Sequence, residues 1–175
     1  AGDFAPLALE RGLKLAVVPT SNVVRSDPVL LERIVRNLVD NAVKHTRSGG
    51  VVVGARRRAG RVAIEVHDSG PGIPAAERER VFEEFYQVGN VERDRSRGLG
   101  LGLAIVRRMA GLLGHRIEVG SHVGRGSVFR IVLDADRAAP AAAGGTTVEP
   151  ASTLAGRRIL VVDDEQDVRA ATTTT

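Results

Sequence analysis

The chain has no cysteine and no tryptophan, and only one methionine, one tyrosine and four phenylalanines in 175 residues. Without thiols, disulfide frameworks, thiol catalysis and Cys-ligated zinc are excluded. With aromatics at 3%, Leu, Val, Ile and Ala must fill the core, and little is available to stack on nucleobases. That scarcity argues against nucleic acid as a partner, despite the basic clusters Arg56-Arg57-Arg58 and Arg93 to Arg97. Both signs are interspersed, 25 basic against 21 acidic residues, and basic patches also serve nucleotide phosphates and acidic partners. No apolar run approaches a membrane span and no signal-type segment opens the chain, so no direct membrane contact by this chain is expected. What is present is 43% hydrophobic content, enough for one domain with an appendage. The first residues, Ala1-Gly2-Asp3, lack a Met and read as the start of a fragment.

Leu13 to Val18 alternates and ends at Pro19, which predicts a strand, and Asn22 to Arg25 suggests a second short one. Asp27-Pro28 is a helix-start signal, and Leu31, Ile34, Val35, Leu38 and Ala42 recur at helical spacing as far as Thr46. Val51 to Arg57 and Arg61 to His67, joined by Ala59-Gly60, predict an antiparallel hairpin half-buried on the side of Val62, Ile64 and Val66. A turn-rich break, a short helix over Ala75 to Arg80 and a polar loop over Gln87 to Arg97 follow. Leu99 to Leu113 reads as an apolar helix capped by Gly114, and Arg116 to Val119 with Ser127 to Leu133 as a second hairpin. Ala138 to Pro150 is an Ala, Gly, Thr and Pro linker, after which Arg158 to Val162 is a buried-type strand running into Asp163-Asp164-Glu165.

Four groups of residues carry chemistry. Asn37, Asn41 and Lys44 share one face of the first long helix. An amide oxygen suits Mg²⁺ and a lysine suits phosphate, although a wet surface helix presents the same pattern. Asp68-Ser69-Gly70-Pro71-Gly72-Ile73-Pro74 follows a strand directly. Its carboxylate can accept from an exocyclic amine such as that of adenine, or the segment is an ordinary turn. Gly98, Gly100 and Gly102 run straight into a helix, where backbone amides and the helix N-terminus favour phosphate, or a Gly-rich turn simply packs on a sheet. Neither the dinucleotide fingerprint nor a P-loop is present. Gly124 to Phe129 sets the Ser127 hydroxyl at the start of a strand.

Taken in order, these segments resemble the catalytic ATP-binding domain of histidine kinases, within the superfamily shared with gyrase, Hsp90 and MutL. Asn37 to Thr46 resembles the N box, Asp68 to Ile73 the first glycine box, Val81 to Tyr86 the phenylalanine box, Gly98 to Val106 the second glycine box and Gly124 to Phe129 the third. The resemblance implies an α/β (α+β) two-layer sandwich, with a mixed, mainly antiparallel sheet packed on helices. It implies ATP and Mg²⁺ as cofactors, with Asn41 ligating the metal and Lys44 and His45 approaching the phosphates. Asp68 would receive the adenine amino group, with Gly70, Gly72 and Ile73 around the base and Ser127 reaching it directly or through water. Gly98, Gly100 and Gly102 would turn amides to phosphate, with Leu99, Leu101 and Leu103 packing alongside. Phe82 and Phe85 would anchor a lid whose Arg93, Arg95 or Arg97 touches phosphate.

In the hydrolytic relatives a Glu stands one turn before the metal Asn. Here Asn37 occupies that place and cannot serve as a strong general base. Asn37 and Lys44 are therefore the residues assigned to the reaction itself, with transfer favoured over hydrolysis. None of the four histidines suits a phosphoacceptor, so the acceptor is expected on an upstream dimerisation domain. Arg158 to Glu165 resembles the opening of a response-regulator receiver domain. The expected organisation is a catalytic domain over 1–136, a linker over 137–156 and the start of a receiver over 157–175, in a cytoplasmic part of a homodimeric hybrid kinase, with the fragment itself monomeric. The alternatives are a non-catalytic nucleotide-sensing module and a hydrolytic ATPase of the gyrase or MutL type.

Overall fold

The computed structural model describes residues 4–89 and 99–134. Helix α1 (Ala5–Glu10) leads into β1 (Lys14–Val17), the long helix α2 (Pro28–His45), and the hairpin of β2 (Gly50–Arg58) and β3 (Arg61–Asp68). Two single 3-10 turns (Ala75–Glu77 and Arg80–Phe82), helix α3 (Gly102–Leu112) and the hairpin of β4 (Arg116–His122) and β5 (Gly126–Asp134) complete it. The sheet order is β1-β2-β3-β5-β4, with β1 parallel to β2 and the remaining pairs antiparallel. Helices α2 and α3 pack on each other, α2 lies against β2 and β3, and α3 lies against β4. This is the expected two-layer α/β sandwich with a mixed, mainly antiparallel sheet.

Helix α2 starts where the sequence says it should. Asp27 Oδ1 accepts from the Val29 and Leu30 amides at 2.9 Å each, and Pro28 takes the first helical position, where its missing N–H costs nothing. At the other end, the Thr46 amide and hydroxyl both donate to the Ala42 carbonyl, at 3.0 and 2.7 Å. Arg11 from α1's end donates to the Val43 and Lys44 carbonyls, satisfying last-turn acceptors. The buried stripe is Leu31, Ile34, Leu38, Val39, Ala42 and Val43.

Register explains the core. Val53, Val66, Phe129 and Val119 form one cross-strand row, and Ala55, Ile64, Ile131 and Ile117 the next. Strand alternation sends both rows to the same face, toward α2 and α3. Ile34, Leu38 and Val106 meet them there, all fully buried. Truncating Leu38 to Ala at such a site costs about 2–5 kcal/mol.

Several expectations change. Ala5–Glu10 forms a helix that the sequence periodicity does not announce. Asn22 to Arg25 makes only isolated bridges, not a strand. The helix expected over Ala75 to Arg80 is two separate 3-10 turns, neither with a side-chain cap at its start. Helix α3 begins at Gly102 rather than Leu99, because Gly100 has φ +67° and cannot lie in a right-handed helix. Strand β4 continues past Val119 to His122. The largest difference is in β3, where Val62 through Val66 are all buried, Glu65 included. As the central strand, β3 has β2 and β5 on its flanks, and Arg56 and Arg130 from those neighbours converge on Glu65 on the outer face.

Candidate functional site

The first glycine segment is built around one carboxylate. Asp68 ends β3 opposite Ser127 at the start of β5. Its Oδ1 accepts from the amides of Gly70 at 2.8 Å and Ser127 at 3.3 Å. Among the described residues Oδ2 accepts no hydrogen bond, so one oxygen is committed to the backbone and one is available to a ligand. Loss of water pushes the Asp68 pKa above the usual carboxylate range, and the two amide bonds pull it back.

Glycines let the turn close on its neighbours. A Cβ at Gly70 would sit 2.8 Å from Asp68 Oδ1 and 3.2 Å from the His45 carbonyl, so the end of α2 abuts the turn here. Gly72 has φ +73°, and a Cβ there would collide with the His122 carbonyl. The His45 ring is held below its ordinary pKa chiefly by lost water, with the nearby Asp68 charge opposing that shift. The N-box-like helix end and the Asp turn therefore share one electrostatic environment.

On α2, Asn37 and Asn41 are half-buried. Asn37 Nδ2 donates back to the Arg33 carbonyl at 2.8 Å. Its Oδ1 lies 3.9 Å from where a Cβ on Gly102 would stand, so it looks at the first residue of α3. Asn41 makes no side-chain hydrogen bond among the described residues. Lys44 is not a lone charge, because its Nζ bonds Asp40 Oδ2 at 2.6 Å, one turn earlier.

The second glycine segment faces this helix. Arg93, Arg95, Arg97 and Gly98 lie outside the described residues. The Gly100 carbonyl accepts from the Phe85 amide at 3.1 Å. Leu101 stands at the cap position of α3 and gives no side-chain cap to its first amides. An uncapped helix N-terminus leaves N–H groups and a partial positive charge free for an anion. Leu103 packs against the core and Leu101 is half-buried, but Leu99 is exposed, since it precedes the turn at Gly100. The phenylalanine pair also divides. Phe82 is buried edge-on against Phe129, with ring centroids 6.2 Å apart, whereas the Phe85 ring is 68% exposed and only its backbone anchors the segment.

Ser127 is buried, and its hydroxyl lies 3.0 Å from that of Ser121. Ser121 was not singled out by the sequence, yet it joins three parts. Its Oγ accepts from the Ile73 amide at 2.7 Å and approaches the Gly126 carbonyl at 2.9 Å as well as Ser127. The signal that could have found it is the length of β4, which runs past Val119 to His122. Ser69 has a bracing role that its place in the turn does not disclose. It accepts from the Gly50 amide and donates to the Ser48 carbonyl, tying the Asp turn to the start of β2.

A mixed sheet on two helices, with an Asp at the end of its central strand, an Asn-bearing helix beside it and a glycine-led helix facing that one, is the architecture of the histidine kinase ATPase fold class. Residues 26–137 match the histidine kinase-, DNA gyrase B- and HSP90-like ATPase family, and the chain belongs to it. It is similar to the sensor histidine kinase RcsC of Escherichia coli strain K12, 36% identical over 132 residues that cover 74% of this chain and 14% of that protein. It is also similar to the aerobic respiration control sensor protein ArcB of the same strain, 38% identical over 133 residues, covering 73% and 17% respectively. The chain thus spans less than a fifth of the length of these relatives. Among solved structures it resembles full-length ShkA in complex with AMPPNP, at TM-score 0.68 and 35% identity over 79% of this chain and 29% of that one. It likewise resembles the mycobacterial sensor histidine kinase MprB, at TM-score 0.60 and 30% identity over 77% and 90%. Among the described residues no helix is long and apolar enough to cross a membrane.

Proposed function

We infer that residues 1–136 bind Mg-ATP between α2, the Asp68 turn and the start of α3, and donate the γ-phosphate to a histidine on a separate, upstream dimerisation domain. The observation that carries this reading is the Asp68 carboxylate. It is short of water, its Oδ1 is pinned by two amides, and its Oδ2 is left for an exocyclic amine. Gly70, Gly72 and Ile73 would frame the base, with Ser127 behind it. The α3 N-terminus, with Gly98, Gly100 and Gly102, would take the phosphates. Lys44 would reach them only by leaving Asp40, while His45 stands next to Asp68.

Mg²⁺ fits the donor set. No group of three acidic or histidine side chains gathers among the described residues, so a metal here needs oxygens from elsewhere. Mg²⁺ commonly takes substrate phosphate and water, with one or two protein ligands, and the uncommitted amide of Asn41 is such a ligand. When bound, the ion neutralises phosphate charge. Asn37 has its amide nitrogen tied to Arg33 and no carboxylate to take a proton from water, which favours transfer over hydrolysis.

The fuller organisation belongs to the same proposal. Residues 137–156, proposed as a linker, and 157–175, proposed as the start of a receiver, lie outside the described residues; with them the parent would be a homodimeric hybrid kinase in a phosphorelay. The test is to mix this chain with the dimerisation domain of its own parent and γ-labelled ATP. Acid-labile label on a histidine of that domain is expected. ATP binding without transfer would point to a sensing module, and rapid Mg²⁺-dependent hydrolysis by the chain alone to a hydrolytic ATPase.

A further inference from the structure

Strand β4 is one margin of the sheet and, among the described residues, pairs only with β5. Arg78 Nη2 donates to the Ser121 carbonyl, so that carbonyl points away from β5. In an antiparallel pair, residues alternate between those whose N–H and C=O face the partner strand and those whose groups face away. Val119 and Ile117 share the parity of Ser121. Their backbone groups therefore face outward too, where no hydrogen bond among the described residues meets them. Arg78 blunts one end of the edge and leaves two residues of it open.

A groove of about 510 Å³ runs beside this open stretch, between the 3-10 turns, α3 and β4. Phe82, Ile117 and Val119 supply its apolar surface, and Arg78 and Arg107 its cations. The Arg107 guanidinium carbon stands 5.9 Å from the Phe82 ring centre. Among the described residues neither arginine is paired with a carboxylate, and Arg78 Nε is buried without an acceptor. Glu79 and Glu118 also border the groove; strand alternation turns Glu118 away from Ile117 and Val119, and Glu79, exposed like Arg107, leaves two guanidinium groups against one carboxylate.

We propose that this groove docks an extended, acidic segment of a partner protein, which adds to β4 as a sixth strand and sets a carboxylate against Arg107 and Arg78. Backbone bonds to Val119 and Ile117 would supply the pairing, alternate apolar side chains would lie over Phe82, and the unmatched guanidinium groups select the acidic residue. The groove shares no lining residue with the Asp68 turn and its test uses no nucleotide, so it stands or falls independently of the nucleotide reading.

The test is to titrate the isotope-labelled chain with the blocked peptide Thr-Val-Glu-Val-Glu-Val-Thr and with its counterpart carrying Gln for Glu. Saturable binding of the acidic peptide is expected, with slowed amide exchange at Ile117 and Val119. Affinity should fall at least tenfold for the Gln peptide on the wild-type chain, and at least tenfold for the acidic peptide on the exposed-site variant Arg107→Gln. Glu79→Gln should bind as well as wild type or better. Equal binding of the two peptides, or binding that leaves Ile117 and Val119 unprotected, would overturn the proposal. So would protection of those amides that grows with protein concentration without peptide, since a second copy would then be the occupant.

Discussion

The Phe85 amide donates to the Gly100 carbonyl at 3.1 Å, clasping the two ends of the segment between them. Both residues sit at positive φ, +63° for Phe85 and +67° for Gly100. Only the glycine does so without steric cost, and a Cβ at Gly100 would stand 3.0 Å from the Phe85 carbonyl carbon and the Tyr86 oxygen. Gly100→Ala should therefore strain the clasp by roughly 1–3 kcal/mol. The expected signs are faster amide exchange at Phe85 and at least tenfold weaker ATP binding. Phe85→Ala should change stability by no more than about 0.5 kcal/mol, since the ring is exposed, whereas Phe82→Ala should cost about 3–5 kcal/mol. Chemical denaturation distinguishes the two.

Asp68→Asn preserves an oxygen for the Gly70 and Ser127 amides and removes a charge that burial disfavours. The melting temperature should hold or rise. ATP affinity should nevertheless fall at least tenfold by calorimetry, because an amide nitrogen replaces the acceptor offered to the base. A variant that binds ATP as wild type would remove Asp68 from the proposed site.

Ser121→Ala deletes the acceptor of the Ile73 amide and the neighbour of the Ser127 hydroxyl. Leaving that amide unsatisfied costs about 1–3 kcal/mol. Urea unfolding should show the loss, and exchange at the Ile73 amide should rise well before global unfolding.

Glu65 sets an acid limit on stability. Burial alone would raise its pKa, but hydrogen bonds from His67 and Arg130, with their charges, outweigh it and bring the group from 4.5 down to about 2. A carboxylate depressed in the folded state stabilises fully above its unfolded pKa and loses that contribution as pH falls toward the folded one. The window is therefore about pH 4.5 to 2, with a contribution on the order of 3 kcal/mol. Glu65→Gln should flatten stability across that window relative to wild type. An unchanged acid profile would show that the network contributes nothing.

Local chemistry made much of this fold readable. Asp27-Pro28 announced α2 because a capping carboxylate and an N1 proline act within one turn of the chain. Ala59-Gly60 announced the β2–β3 hairpin because a tight two-residue connection needs positive φ, seen as +47° and +75°. The burial of Glu65 was unreadable for the opposite reason. Its period-2 pattern says which side it faces but not what crosses above it, and Arg130 lies 65 residues further along the chain.

The same division runs through the candidate site. The sequence by itself determined the residue types and their order: the amides of Asn37 and Asn41, the Asp68 turn and the glycines that lead α3. Each rests on spacing along a single element. Only the tertiary structure decided that Asp68 commits one oxygen and keeps the other, and that Ser121 bolts Ile73 to Ser127. It also decided that Phe82 packs while Phe85 stays outside. Most of these outcomes depend on partners brought together by strand register and helix packing, and contacts between distant segments leave no periodic trace in a single sequence.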